Sequence, residues 1–116
     1  MNTREIGRRA EQRAREYLEA RGLLFVAANV YFGHNEIDLI MQDGAYTVFV
    51  EVKARSDERY GLGREFVGRQ KQKRLLLAAQ DYLNTHDPDA FARFDVVEIN
   101  LTTDEIVHIP NAFSVE

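Results

Sequence analysis

The 116-residue sequence contains no cysteine. That excludes disulfides, thiolate metal sites and cysteine nucleophiles. It has no apolar run close to the roughly 20 residues that a membrane-spanning helix needs. Its start, "MNTREIGRRAEQRAREY", is charged throughout and has none of the apolar centre of a signal peptide. No internal repeat or low-complexity tract appears. The expectation from these absences is a cytoplasmic protein with no membrane association.

What is present is ordinary for a globular domain: 45% apolar and 29% charged residues. A chain of this length hides roughly two-thirds of its extended surface on folding, enough for one core without staples. One domain over residues 1–116 is expected, with 101–116 as a peripheral strand and acidic tail. The net charge of −4 argues mildly against a nucleic-acid binder, but the charges are segregated. Residues 64 to 74, "REFVGRQKQKR", carry five basic residues against one acid, and residues 87 to 116 carry seven acids against Arg93 alone. A local basic stripe binds phosphates whatever the total, and it is equally compatible with plain solvated surface.

Residues 5 to 21 read as a helix, with Ile6, Ala10, Ala14, Tyr17 and Leu18 at three- and four-residue spacing and Gly22 as the stop. "LLFVAANV" is a continuous apolar run of strand length. "NEIDLIMQ" and "YTVFVEVKAR" flank Asp43-Gly44, a hairpin signal. "SDERYGLG" reads as a loop with Gly61 and Gly63, and residues 65 to 84 read as a second helix whose start is basic. "RFDVVEINL" and "IVHIP" complete the pattern as two strands. The element order αβββαββ predicts an α/β domain, a mixed sheet with helices packed on it.

Four charges disturb this pattern. Glu51 and Lys53 lie inside the apolar run "VFVEVKA", and Glu36 and Asp38 in the strand before it. Side chains alternate across a strand, so Glu51 and Lys53 share a face, as do Glu36 and Asp38. A two-residue turn at Asp43-Gly44 sets Asp38 diagonal to Glu51, and a four-residue turn sets them opposite. Two carboxylates about 5 Å apart repel by roughly 3 kcal/mol at an effective dielectric near 20, a large share of a typical 5–15 kcal/mol stability. Lys53 offsets one carboxylate, and a hard divalent cation offsets more. The competing explanation pairs one acid with Lys53 and leaves the others facing water at a sheet edge.

These residues carry a resemblance. "NEIDLI", "FVEVKAR", "K..R....A..YL", "RFDVV" and the leading "G...E..A..YL...G" closely resemble the YraN-like family of small bacterial proteins. That family is similar to archaeal Holliday-junction resolvases and to the PD-(D/E)xK nucleases. The resemblance runs from about Gly7 to Asn100 and implies a restriction-endonuclease-like fold. It implies Asp38, Glu51 and Lys53 as catalytic residues, and Glu11 with Asp38 and Glu51 as ligands of Mg²⁺ or Mn²⁺. Lys71 and Arg74 lie within it and become the preferred phosphate contacts, with Arg69 and Lys73 beside them. The family usually has glycine before Glu36, where this chain has Asn35 after His34. Asparagine tolerates a left-handed backbone, so the turn is expected to survive. His34 reads as a proton relay or an incidental turn residue.

The expected activity is metal-dependent phosphodiester hydrolysis in nucleic acid, favouring DNA over RNA and directed by structure rather than sequence. The alternative is a nucleic-acid-binding module of the same fold with little or no turnover. The last strand offers an exposed edge for a homodimer.

Overall fold

A computed structural model describes residues 2–56 and 68–113. The first helix, α1 (Thr3–Ala20), is capped by Asn2, whose side-chain oxygen accepts the Glu5 N–H at 2.9 Å. Ala10, Ala14 and Leu18, four residues apart, form its buried stripe. The helix ends in a Schellman-type closure: Leu23 N–H donates to Leu18 O at 3.1 Å and Gly22 N–H to Glu19 O at 3.0 Å. That closure needs a left-handed residue, and Gly22 supplies it at φ +96°.

Five strands follow in a single sheet of order β1-β2-β3-β4-β5: β1 (Leu24–Phe32), β2 (Asn35–Asp43), β3 (Tyr46–Arg55), β4 (Phe91–Asn100) and β5 (Ile106–Phe113). The β1–β2, β2–β3 and β4–β5 pairs are antiparallel and β3–β4 is parallel. A parallel pair needs a long crossover, and α2 (Arg69–His86) lies within it. The order αβββαββ and the mixed sheet are those of the expected restriction-endonuclease-like architecture. The Gly61–Gly63 loop, Arg64 and the first residues expected of the second helix lie outside the described residues.

β3 is buried on both faces, which explains its unbroken apolar run. Val48 and Val50 pack with Leu39, Met41, Val97 and the buried stripe of α1. Phe49 turns the other way, onto Leu75, Ala78, Ala79 and Tyr82 of α2 together with Phe94 and Val96. Each buried Val, Leu, Met or Phe among them contributes about 1.5–3 kcal/mol, and together these residues fix the sheet between the two helices. β5 continues past the expected "IVHIP" to Phe113. Pro110 is tolerated there because β5 is an edge strand, where a missing N–H costs no ladder bond on the outer side.

Two turns differ from the sequence expectation. The β2–β3 turn is Gly44-Ala45, with Asp43 paired to Tyr46, one residue later than Asp43-Gly44. Gly44, at φ +58°, takes the first turn position, where a side chain would be strained. In the β1–β2 turn the left-handed residue is Gly33 at φ +62°, while Asn35 is already in the strand, opposite Phe32. The glycine that this chain lacks before Glu36 is therefore supplied two residues earlier.

Candidate functional site

The shifted β2–β3 turn sets the site. The two strands pair from Asp43↔Tyr46 to Leu39↔Val50. Beyond that rung β2 stays with β1 as far as Asn35, while β3 stays with β4 as far as Arg55. Asp38 and Glu51 are the next residues on each strand, so they stand in the crotch of a fork. Asp38 Oδ2 accepts the Val52 N–H at 2.9 Å. The carboxylate thereby satisfies a backbone donor that the departing strand leaves without a ladder partner.

The pleat breaks at the same rung. Ile37 packs in the α2-side core and Leu39 in the α1-side core, although residues two apart in a regular strand share a face. Across from Asp38 on β1, between the pairs Ala28↔Leu39 and Val30↔Ile37, Asn29 adopts φ +52°. The expectation that Asp38 and Glu51 share one sheet face through simple alternation is therefore replaced by a junction at which two strands part.

Four acids converge on the junction. Glu11 of α1, Glu36 and Asp38 each bring one carboxylate oxygen within 4.8 Å of the others. Asn29 Nδ2 donates to Glu11 Oε1 at 3.0 Å and to Glu36 Oε2 at 2.9 Å. Glu51 is 6% exposed and its charge acts on both Asp38 and Glu11. Its Oε1 meets Lys71 Nζ at 3.2 Å, and its buried Oε2 has no hydrogen-bond partner among the described residues.

Electrostatics follow from this crowding. Burial, reinforced by the Glu51 charge and opposed by the Val52 N–H, pushes the Asp38 carboxyl up to about 8. Burial also raises Glu11 above the carboxylate range; the Asn29 hydrogen bond works against this, and the charges of Glu36 and Glu51 add to it. Lys53 is held below the usual lysine range by burial and by the neighbouring Lys71 and Arg55 charges, with Glu51 and Asp38 opposing. Tyr31 is raised by its hydrogen bond to Glu36.

Two clefts meet here, and both reach Glu36. One, of about 230 Å³, is lined by His34, Asn35, Asp38, Lys71 and Arg74 in addition to Glu36. The other, of about 430 Å³, lies towards the start of α1 and is lined by Arg4, Arg8, Glu11, Asn29 and Tyr31.

A divalent cation fits the residues present. An octahedral Mg²⁺ with oxygens at about 2.1 Å sets its ligands roughly 3 to 4 Å apart. The three clustered oxygens need only a small inward movement to match that spacing. The buried Glu51 Oε2, to which no described residue donates, is a further acceptor suited to a cation at this junction.

Of the residues singled out from the sequence, the structure brings Asp38, Glu51, Lys53 and Glu11 to the junction, together with Lys71 and Arg74 on its α2 side. Lys71 pairs with Glu51 and stays half exposed at the cleft that it lines with Arg74. Arg69 and Lys73 are exposed on α2 and line neither cleft. His34 is exposed at the mouth of the smaller cleft.

Glu36, one of the four anomalous charges but not among the residues that the resemblance implies, belongs to the acid cluster. Two residues carried no sequence reading. Asn29 sits in the middle of the apolar run "LLFVAANV", where a lone amide was the available signal. Glu98, 0% exposed, is in register with Lys53 on β4, with Arg55 Nε 3.8 Å away. Its signal was the same as for Glu51, a single acid inside a strand of valines and isoleucines.

Residues 10–99 match the model of a family described as "Uncharacterised protein family UPF0102". A UPF0102 protein of Shewanella woodyi is 44% identical, over 95% of this chain and 92% of its own length. One from Halorhodospira halophila is 50% identical over 81% of this chain and 76% of its own. One from Yersinia enterocolitica is 44% identical over the whole of both chains. The match takes in the fork, both helices and all of the clustered acids, and on that footing the chain belongs to the UPF0102 family, the YraN-like family its motifs resemble.

Proposed function

We propose that the protein is a metal-dependent nuclease that hydrolyses phosphodiester bonds in nucleic acid, DNA in preference to RNA, and recognises shape rather than sequence. The observation that carries this reading is the convergence of Glu11, Glu36 and Asp38 at the strand fork, with a Glu51 oxygen buried at the same junction without a donor among the described residues. Asp38, Glu51 and Glu11, joined by Glu36, are the residues that would hold Mg²⁺ or Mn²⁺. Bound there, such a cation supplies hydroxide at neutral pH and neutralises charge on the phosphate. Lys53 stands in the field of Glu51 and Asp38; in this role it orients the attacking water or stabilises the charge that develops on the phosphoryl oxygens.

Lys71 and Arg74 line the smaller cleft and would position the backbone on one side of the scissile phosphate. Arg4, Arg8 and the exposed Tyr31 line the larger one and would receive the chain on the other side. In this reading the protein works in the cytoplasm, and β5 as an edge strand is the surface through which a homodimer would form. A strong motif preference at mapped cleavage sites would overturn the shape-directed part.

The decisive test is calorimetric titration with Mg²⁺ and Mn²⁺ of the wild type and of Asp38→Asn. Saturable binding that disappears in the variant supports the site. Absence of binding both alone and with oligonucleotide present removes the catalytic reading. The Lys71–Glu51 ion pair favours one alternative, a binding module in which an ammonium rather than a metal neutralises the acid. Glu51→Gln separates the two. A nuclease loses cleavage and keeps its affinity for nucleic acid, whereas a binding module shows no metal-dependent cleavage to lose.

A further inference from the structure

We infer that Asn29 is a positioning residue that assembles Glu11 and Glu36 into one cation site with Asp38, an inference that rests on the cation-binding reading above. An amide nitrogen carries two hydrogens, and Asn29 directs both at carboxylates from different elements, Glu11 Oε1 of α1 at 3.0 Å and Glu36 Oε2 of β2 at 2.9 Å. Each of these bonds engages one carboxylate oxygen, and Glu36 also accepts from the Tyr31 hydroxyl.

The choice of an amide matters chemically. A lysine or arginine here would hold the same acids but cancel their charge and compete with a metal. The amide draws two like charges together while leaving their negative potential intact. Hydrogen-bond donors to metal-ligating carboxylates fix the orientation of those ligands, and their loss typically weakens metal binding.

The backbone serves the same end. Asn29 is left-handed at φ +52° while Ala28 and Val30 on either side remain paired with Leu39 and Ile37. The residue it faces is Asp38, the third carboxylate, at the rung where the β2 pleat also breaks. Asparagine is among the few residues with a side chain that accept this conformation. Glycine would satisfy the backbone but not the acids; a serine or threonine would offer only one donor hydrogen. Asparagine meets both needs.

The test is Mn²⁺ calorimetry and thermal melting of Asn29→Gly and Asn29→Ala, with wild type and Asp38→Asn alongside. Asn29→Gly keeps the left-handed backbone and removes the amide. It is expected to melt within a few degrees of wild type without metal, yet to bind Mn²⁺ about 10- to 100-fold more weakly. Asn29→Ala is expected to show the same loss of affinity with a lower melting temperature, because alanine strains at this φ. Mn²⁺ affinity within twofold of wild type in either folded variant would overturn the inference, whatever happens to melting. Wild type that fails to bind Mn²⁺ overturns the site reading itself, a result visible before any Asn29 variant is compared.

Discussion

Asp95 on β4 and Asp38 on β2 are acids of the same small sheet. Asp95 accepts from Arg93 Nε at 2.9 Å and Nη2 at 3.0 Å, from Asn111 N–H at 2.9 Å, and pairs with His108 Nε2 at 2.7 Å. Arg93 also reaches Asp43 at 2.9 Å, tying three strands together. Burial works against the charge of Asp95, but the bonds from His108, Arg93 and Asn111 outweigh it and hold its carboxyl below the usual range. Asp38 has the Val52 N–H and three other acids in its field, and is pushed up to about 8. The same residue type is thus stabilised in one place and left in conflict in another. Perturbation of the kind seen at Asp38 gathers at functional sites, which is why the proposed function rests on the fork, whereas the satisfied network around Asp95 ties strands together.

The largest effect that sharpens this contrast is expected at Asp95. Asp95→Ala strands Arg93 and His108 without their buried partner, and urea unfolding should show a loss of about 3–5 kcal/mol. Mn²⁺ affinity of the fraction that remains folded should be unchanged. A loss of metal binding in folded Asp95→Ala would break the division between the two regions.

The next effect is on pH dependence. Asp38 is an acid whose folded value is raised, so between about 4 and 8 the folded state binds more protons than the unfolded one. Metal-free stability should therefore fall as pH rises through that window, with a slope on the order of 1 kcal/mol per pH unit. Below the window both states are protonated and the contribution is flat. Saturating Mg²⁺ should abolish the slope, since it favours the charged form. Urea midpoints at a series of pH values, with and without Mg²⁺, check this, and stability that rises over the same window contradicts the account of Asp38.

Smaller again is the gain from removing the conflict. Asn at position 38 still accepts the Val52 N–H through its Oδ1, but carries no charge. Asp38→Asn should therefore stabilise the metal-free protein at pH 8 by about 1–2 kcal/mol, as neutral replacements of uncompensated buried charge do. A destabilised Asp38→Asn would place Asp38 with Asp95 as a structural acid.

The smallest effect concerns Lys71, whose side chain is 48% exposed against Glu51 at 6%. A half-exposed pair is worth little, so Lys71→Met should leave stability almost unchanged. It should tighten Mn²⁺ binding roughly two- to fivefold by removing the competing ammonium, and weaken oligonucleotide binding. Weaker Mn²⁺ binding would show that Lys71 supports the site instead of competing for it.

Much of this was legible beforehand because strands repeat every two residues and helices every 3.6. Glu51 and Lys53 stood out as charges in an apolar run, and the helix of Ala10, Ala14 and Leu18 announced its buried stripe. Glu98 carried the same anomaly as Glu51 and could have been flagged by the same rule. Lys71 was legible too: it stands four residues before Leu75 and eight before Ala79, on the helix stripe that packs on the sheet, although the basic start of the helix drew attention to its charge instead.

The sequence by itself determined the element order, the two-sided burial of β3 and the presence of acids that an ordinary core would not keep. Only the tertiary structure decided where those acids meet. Alternation along a strand says which face a side chain takes, but not where two strands cease to pair. Pairing between β2 and β3 stops at Leu39↔Val50, Asn29 distorts the neighbouring rung, and α1 brings in Glu11 from a segment 27 residues before Asp38 in the chain. Each of those is a contact between distant segments. It exists because the two helices bury both faces of the sheet and so hold these distant segments against one another.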